Sequence, residues 1–327
     1  MREVMKWSEV VSRADRWKSG SYWYDSYYGD ISFDRLVTTD LAESWDDVLE
    51  WSSRLCKWGF RGQREASWTL QSSQERRIRV DRSYGSISGH RQLDRKIVGE
   101  KLLSGFRELA PLHLRDLPSN DDSAGWLALM QHYGGPTRLL DWTRCPFVGL
   151  YFALREEPTG GNRSAVWAID LDWLKRKERE KLGASVAAHD PGARFRYTNW
   201  LLDQSKIPLV VPLDLQWKNE RMEAQKGFFL WKLYAETPLF DEMLMDMMLH
   251  PEIAQSPVVR KLEVSPKLRN WFLERLFREK NLNEVTLFPG HDFCEPLRID
   301  LQAMVEGAKA ADEEELRLLQ MDEVVRG

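Results

Sequence analysis

Hydrophobic positions recur along the chain at two spacings, one typical of amphipathic helices and one typical of buried strands. The helical spacing predicts helices at residues 42–57, 92–110, 126–133, 147–155 and 265–281. Short apolar runs predict strands at residues 58–60, 67–70, 164–170, 207–215, 228–233 and 258–264. The two patterns alternate along the chain without an internal repeat. We therefore expect a mixed α/β (α+β) protein.

Three of the predicted helices begin with residues that favour a helix start. Ser44 can cap the first of them, with Asp46 and Asp47 in the first turn, where carboxylates interact favourably with the helix dipole. Pro146 and Pro266 each stand at an early helical position, where the missing N–H costs no hydrogen bond. These start signals support a helical assignment for all three segments.

The two ends of the chain differ in composition from its middle. Residues 1–41 carry aromatic side chains among Ser, Gly and Asp, and this segment either docks on the body or stacks on a base or a partner. Residues 293–327 predict an amphipathic acidic helical tail, either packed on the body or offered to a partner. Residues 42–292 are then expected to form the main domain.

Composition and charge exclude several classes of protein. Hydrophobic residues make up 43% and charged residues 30% of the chain, which excludes a disordered or collagen-like protein. The net charge of −4 argues against a globally basic nucleic-acid binder but leaves a local basic groove open. Three cysteines far apart in sequence predict no disulfide framework and indicate the cytoplasm. The charged first residues and the short apolar runs predict neither a secretory leader nor a membrane span.

The first polar motif stands at the end of a predicted strand, at residues 58–63. Arg61 offers a fork of donors that suits a phosphate or a carboxylate, and Gly62 would let a ligand approach the backbone. Gln63 adds an amide to the same place. The alternative is that Arg61 only ties down a loop.

The second polar motif occupies residues 131–143, where eight of thirteen side chains carry hydrogen-bonding groups. Such density beside an apolar helix is typical of a polar pocket on a turn. His132 is either part of that pocket or a core histidine, and Arg138 and Asp141 are spaced so that they could form an internal ion pair. The six histidines are scattered without metal-ligand spacing, so no metal site is expected.

These motifs resemble those of the FRG-domain family, whose name comes from the Phe60-Arg61-Gly62 element. The second motif resembles the family's HYG-x-PTRLLDWT run, and weaker elements stand at 221–229 and 287–289. The resemblance covers about residues 42–292. Gly135, Cys145 and Gly290 depart from the family pattern, and Cys145 replaces a hydroxyl near the expected pocket.

The order of these motifs is similar to that of ADP-ribosyltransferases, which implies a small split mixed sheet flanked by helices and NAD as the substrate. The resemblance implies Glu223 as the catalytic carboxylate, with Gln225 orienting and Asp141 as the rival carboxylate. Arg61 would hold a phosphate, and Tyr133 or Trp142 would stack on nicotinamide. The remaining residues expected around NAD are Gly62, Gln63, His132, Thr137, Arg138 and Thr143.

The function implied by the resemblance is that of a cytoplasmic bacterial toxin or anti-phage defence effector. Such a protein would modify a macromolecular acceptor, either protein or nucleic acid, and would be held inactive by an antitoxin or another neutralising protein. The alternative is a non-catalytic module that binds a nucleotide or a protein in a defence or toxin-antitoxin system. The sequence leaves both functions open.

Overall fold

A computed structural model describes most of the central part of the chain. The described residues are 33–77, 95–182, 197–199, 209–213, 215, 220–233, 240–248 and 257–289. Most of the aromatic N-terminal segment, residues 1–32, and the whole predicted tail at 293–327 lie outside these ranges.

Seven strands form one mixed sheet, which confirms the predicted mixed α/β class. The strands are β1 (Thr38–Ala42), β2 (Trp58–Gln63), β3 (Leu139–Thr143), β4 (Ser164–Asp170), β5 (Val210–Leu213), β6 (Gly227–Lys232) and β7 (Val259–Val264). Their spatial order is β1-β7-β4-β2-β3-β6-β5. The β1–β7 pair is parallel, and every other neighbouring pair in this sheet is antiparallel.

The sheet consists of two halves that meet at a narrow junction between β2 and β3. A single residue pair, Phe60 with Thr143, joins these two strands. By contrast, β2 pairs with β4 through six residues and β3 pairs with β6 through five. The two strands that carry the polar motifs are therefore adjacent but splayed, which opens a cleft between the halves of the sheet.

Eleven α-helices surround the sheet in the described part of the chain. They are α1 (Phe33–Leu36), α2 (Trp45–Ser53), α3 (Ser73–Arg77), α4 (Arg95–His113), α5 (Ser123–His132), α6 (Pro146–Leu154), α7 (Leu171–Leu182), α8 (Glu220–Ala224), α9 (Phe240–Met248), α10 (Arg269–Lys280) and α11 (Glu284–Leu287). None of these helices is both long and apolar enough to cross a membrane.

Local sequence signals fix several of these elements as predicted. Ser44 caps α2 through its hydroxyl, which accepts from the backbone N–H of Asp47, while the Asp47 carboxylate accepts from the Ser44 N–H. Pro146 is the first residue of α6. Ser265 caps a short 3₁₀ turn at Pro266–Leu268, so α10 begins later than expected, at Arg269. Residues 67–70, predicted as a strand, form a turn and irregular backbone, so that prediction is wrong.

Buried side chains cover both faces of the sheet. Along β4, Val166 and Ala168 join a core cluster with α2, α6 and α10, whereas Trp167 and Ile169 join a second cluster with α7 and α9. This is the alternation expected of a strand buried on both sides. A third cluster lies between α4 and α5 and includes the ring of Phe106, edge-to-face with Trp126 at 6.2 Å.

Candidate functional site

A cavity of about 840 Å³ opens where β2 and β3 diverge. It is lined by residues from β2, β3 and α5, from the loop after β2, and from α3, α6 and α8. Eight residues expected at the site border this cavity: Arg61, Gly62, Gln63, His132, Asp141, Trp142, Thr143 and Gln225. Four others do not border it: Glu223, Tyr133, Thr137 and Arg138.

The cavity is strongly basic although the whole chain is acidic. Two carboxylates, Asp141 and Glu156, border it. Five arginines also border it: Arg61, Arg64, Arg76, Arg155 and Arg221. Because low-dielectric walls concentrate the field of these charges, the cavity favours an anionic ligand. The local basic groove that net charge left open is therefore present.

Arg61 stands at the centre of the junction. Its Nη1 donates to the backbone oxygen of Asp141 at 2.7 Å, which links β2 to β3 beyond their single ladder pair. Its Nε is buried and has no hydrogen-bond partner within the described chain. Burial lowers the pKa of Arg61 to about 10. The negative charge of Asp141 raises this pKa, and the positive charge of Arg76 lowers it further. Arg61 is thus still cationic at neutral pH, and its Nε–H is a donor that an anion could satisfy.

Asp141 is held by a short chain of side-chain hydrogen bonds. The Nε2 of Gln131 donates to the Asp141 Oδ1 at 2.7 Å, and the Gln131 Oε1 accepts from the Thr137 hydroxyl. Thr137 is buried and does not border the cavity; its side chain bonds to Gln131, and its backbone N–H donates to the Ser73 hydroxyl of α3. The Asp141 carboxylate therefore has a fixed position among the cavity arginines.

Arg76 and Arg221 approach Asp141 from two further elements, α3 and α8. Burial lowers the pKa of both arginines, and the negative charge of Asp141 opposes the shift in each case. Arg76 is anchored by a bond of 2.5 Å from its Nη1 to the backbone oxygen of Gln71. One carboxylate is therefore shared electrostatically by three guanidinium groups, which leaves a surplus of positive charge.

The short helix α3, which carries Arg76, is pinned by a buried ion pair. The Lys232 Nζ lies 2.6 Å from the Glu75 Oε1, and both side chains are almost fully buried. The other carboxylate oxygen of Glu75 accepts from the backbone N–H of Ser72 at 2.8 Å. This arrangement ties α3 to β6 and so fixes the position of Arg76.

The weaker motifs near residues 221–229 and 287–289 meet beside the cavity. The guanidinium groups of Arg221 and Arg155 lie over the ring of Phe288 at 4.6 and 4.7 Å. The Gln225 Nε2 donates to the backbone oxygen of Leu287 at 3.0 Å. Phe288 therefore holds two cavity arginines in place by cation–π contact.

Two expected ligand-binding residues, Gln63 and Thr143, have structural partners. The Gln63 Nε2 donates to the Thr69 backbone oxygen, and its Oε1 accepts from the Trp167 indole. The Thr143 hydroxyl donates to the backbone oxygen of Gln225 at 2.7 Å and accepts from the Cys145 N–H. These bonds brace the rim of the cavity and satisfy the groups expected to face a ligand.

A glycine is needed at position 62 for a different physical reason from the one expected from sequence. A Cβ on Gly62 would lie 2.1 Å from the Gly149 backbone oxygen and 2.4 Å from the Ala153 backbone N. The direction that was expected to admit a ligand is thus occupied by α6. Gly62 is required because the helix packs directly on the strand.

The expected catalytic carboxylate Glu223 is exposed on α8 and does not border the cavity, whereas its neighbour Gln225 does. Of the two carboxylates proposed from sequence, the structure brings only Asp141 to Arg61. No group of three or more possible metal ligands occurs in the described residues.

The aromatic residues expected to stack on a ligand are buried. Tyr133 is 9% exposed and Trp142 is 3% exposed, and both pack in core clusters. Trp68, which follows β2, borders the cavity and is 46% exposed. The position of Trp68 shortly after the FRG element could have indicated a role at the site. The wrong prediction of a strand at 67–70 placed it in the sheet instead of on an exposed loop.

Comparison with known proteins supports one family. No curated protein and no solved structure matches the chain. The sequence model of the FRG domain matches residues 56–161, a span that includes β2, β3 and the helices α3 to α6. This span supplies Arg61, Arg76, Asp141 and most of the rest of the cavity lining. The chain therefore contains an FRG domain, matched over residues 56–161.

Proposed function

We propose that the cavity binds NAD and that the protein transfers ADP-ribose from NAD to a macromolecule. The observation that carries this proposal is the set of five arginines around one cavity, with the buried Nε of Arg61 lacking a partner in the described chain. A pyrophosphate offers the negative charge and the paired oxygen acceptors that guanidinium groups bind best. The cavity volume of about 840 Å³ is within the usual range for small-molecule sites.

The chemistry of the reaction requires a carboxylate near the ribose. When the bond between C1′ of the ribose and the nicotinamide nitrogen breaks, its electron pair leaves with neutral nicotinamide and positive charge develops on the ribose. In this proposal the Asp141 carboxylate, fixed by Gln131, stabilises that charge. The acceptor nucleophile then forms a bond to C1′ and loses its proton to solvent water. Arg61, Arg76 and Arg221 hold the phosphates.

The experiment is a measurement of nicotinamide release from NAD by purified protein, with candidate protein and nucleic-acid acceptors. We expect the Asp141→Asn variant to release nicotinamide at least about a hundredfold more slowly, as expected when one preorganised electrostatic contact is lost. The matched control is Glu223→Gln, which changes an exposed carboxylate outside the cavity lining and should leave the rate unchanged. Equal rates for wild type and Asp141→Asn would contradict the assignment.

A specific observation favours a second candidate, a module that binds a nucleotide without turning it over. The residue that borders the cavity between α8 and β6 is an amide, Gln225, whereas the nearby carboxylate Glu223 is exposed and does not border it. A site that lacks a carboxylate at that position is suited to binding more than to glycosidic cleavage. NAD binding without nicotinamide release for any acceptor would favour this module.

We extend the proposal to a cellular role as a bacterial toxin or anti-phage defence effector in the cytoplasm, held in check by a neutralising protein. The support for this role is the family resemblance alone. Expression of the wild-type protein should slow growth, and Asp141→Asn should relieve the effect. Normal growth at matched protein levels would contradict a toxin role.

A further inference from the structure

We propose that Trp68 is a stacking platform for a planar aromatic ring of the ligand, at the mouth of the cavity. This inference rests on the proposed nucleotide-binding function and adds a subsite that recognises the base and not the phosphates. Trp68 borders the cavity, and the residue is 46% exposed. A large aromatic side chain left open beside a basic cavity costs burial energy that a stacked ring would recover.

The indole is held in place before any ligand arrives. The guanidinium of Arg64 lies over its ring, 5.0 Å from the centroid, and the Arg64 Nη1 is in turn fixed by the Glu156 Oε2 at 3.1 Å. The Trp68 backbone N–H donates to the Glu65 oxygen at 3.1 Å. One side of the indole therefore has a protein partner, and the exposed remainder is available to a ligand.

The loop that carries Trp68 is also pinned at several points. The Ala66 N–H donates to the Arg163 oxygen at 2.7 Å, and the Glu65 carboxylate accepts from the Thr159 N–H at 2.6 Å. Gln63 holds the Thr69 backbone oxygen at 3.2 Å. A ring that is already positioned loses little conformational entropy on binding, so it favours stacking.

The arginines and the Trp68 indole recognise different parts of the ligand. Arg61, Arg76 and Arg221 border the cavity together with Asp141 and suit the phosphate groups, which every nucleotide shares. Trp68 lies on the rim and contacts whatever ring extends from those phosphates. Any base has a π-face, so Trp68 can stack on either adenine or nicotinamide. Which of the two rings it binds will show which end of NAD lies at the rim.

The test is calorimetric titration of the full chain with three probes: ADP, nicotinamide mononucleotide and inorganic pyrophosphate. In Trp68→Ala we expect the affinity for at least one nucleotide to fall by at least about fivefold, the loss typical of one stacked ring. The affinity for pyrophosphate should be unchanged because it has no ring. Trp68→Phe should keep most of the nucleotide affinity.

The matched control is Trp271→Ala. Trp271 is 39% exposed, and the Arg275 guanidinium lies 5.6 Å from its ring centroid, but it does not border the cavity. Its removal should change no affinity. If wild type binds all three probes and Trp68→Ala binds them equally well, the platform is wrong while the proposed function stands. An equal loss for all three probes would also overturn it. If wild type binds none of them, both proposals fall together.

Discussion

At the scale of single residues, Gly62 of the FRG element is a motif residue that helix packing requires, although it borders a binding cavity. Gly62 borders the cavity, yet its missing side chain faces α6. Strand alternation then turns its neighbours Arg61 and Gln63 to the opposite face of β2. The close helix thus helps to place the arginine at the cleft.

Replacement of Gly62 by alanine should destabilise the fold. The new Cβ would meet backbone atoms of α6 at 2.1 and 2.4 Å, which cannot move aside as a flexible side chain would. We expect a loss on the order of 3 kcal/mol in the free energy of unfolding. Gly134→Ala is the control: its φ of +87° strains an alanine, but the space around it is open, so about 1–2 kcal/mol is expected. Equal losses in denaturant unfolding would contradict this account.

At the scale of elements, the sequence predicts most where local chemistry decides the structure. The capping residue Ser44 and the helix-start residue Pro146 were enough to predict where α2 and α6 begin. Apolar spacing was enough to predict the strand at 164–170. Pro212 in β5 is tolerated because β5 is the edge strand of the sheet in the part of the chain that the structure describes, where its partner is β6.

Among the strands that the residue pattern did not predict, β3 is the one that carries site residues. The polar residues Asp141 and Thr143 led us to predict a pocket on a turn. In the structure, residues Leu139–Thr143 pair with β6 and form a strand. That pairing joins residues about ninety positions apart, and local pattern does not encode it. The polar residues were therefore predicted at the site without the strand that places them.

The helix α9 should give the fold a characteristic pH dependence through Asp241. Burial, with smaller effects from the charges of Glu242 and Glu75, raises the pKa of Asp241 from 3.8 to about 7. The folded state therefore binds this proton more tightly than the unfolded state does. Its contribution to stability is full below about pH 4 and is lost as the pH rises towards 7.

Asp241→Asn should remove that dependence. At pH 7.5 the variant should be more stable than wild type, by on the order of 2–4 kcal/mol, because no buried carboxylate has to ionise. The gain should shrink at pH 4.5. Asp116→Asn, which changes an exposed carboxylate, is the control and should have little effect. Urea unfolding at the two pH values measures both, and a destabilised Asp241→Asn at pH 7.5 would contradict the sign.

At the scale of the whole molecule, an acidic chain concentrates positive charge in one cleft. Arg61 and Asp141 are expected there from sequence because each stands in one of the two polar motifs. Nothing local marked Arg76 or Arg155, which reach the cavity because α3 is pinned by Lys232 and because α6 packs on β2. The exposed position of Glu223 was equally hidden, since the side of a short helix that faces a cavity depends on tertiary packing.

We propose above all that the arginine-lined cleft binds NAD through its phosphates. Its most direct test is calorimetric titration of NAD into wild type, Arg61→Lys and the exposed-surface control Arg278→Lys. Lysine cannot reproduce the guanidinium fork, so Arg61→Lys should bind NAD at least about tenfold more weakly in a protein that melts normally. Arg278, which pairs with Glu274 on α10 away from the cavity, should tolerate the change. Absence of NAD binding by wild type, or full affinity in Arg61→Lys, would contradict the account.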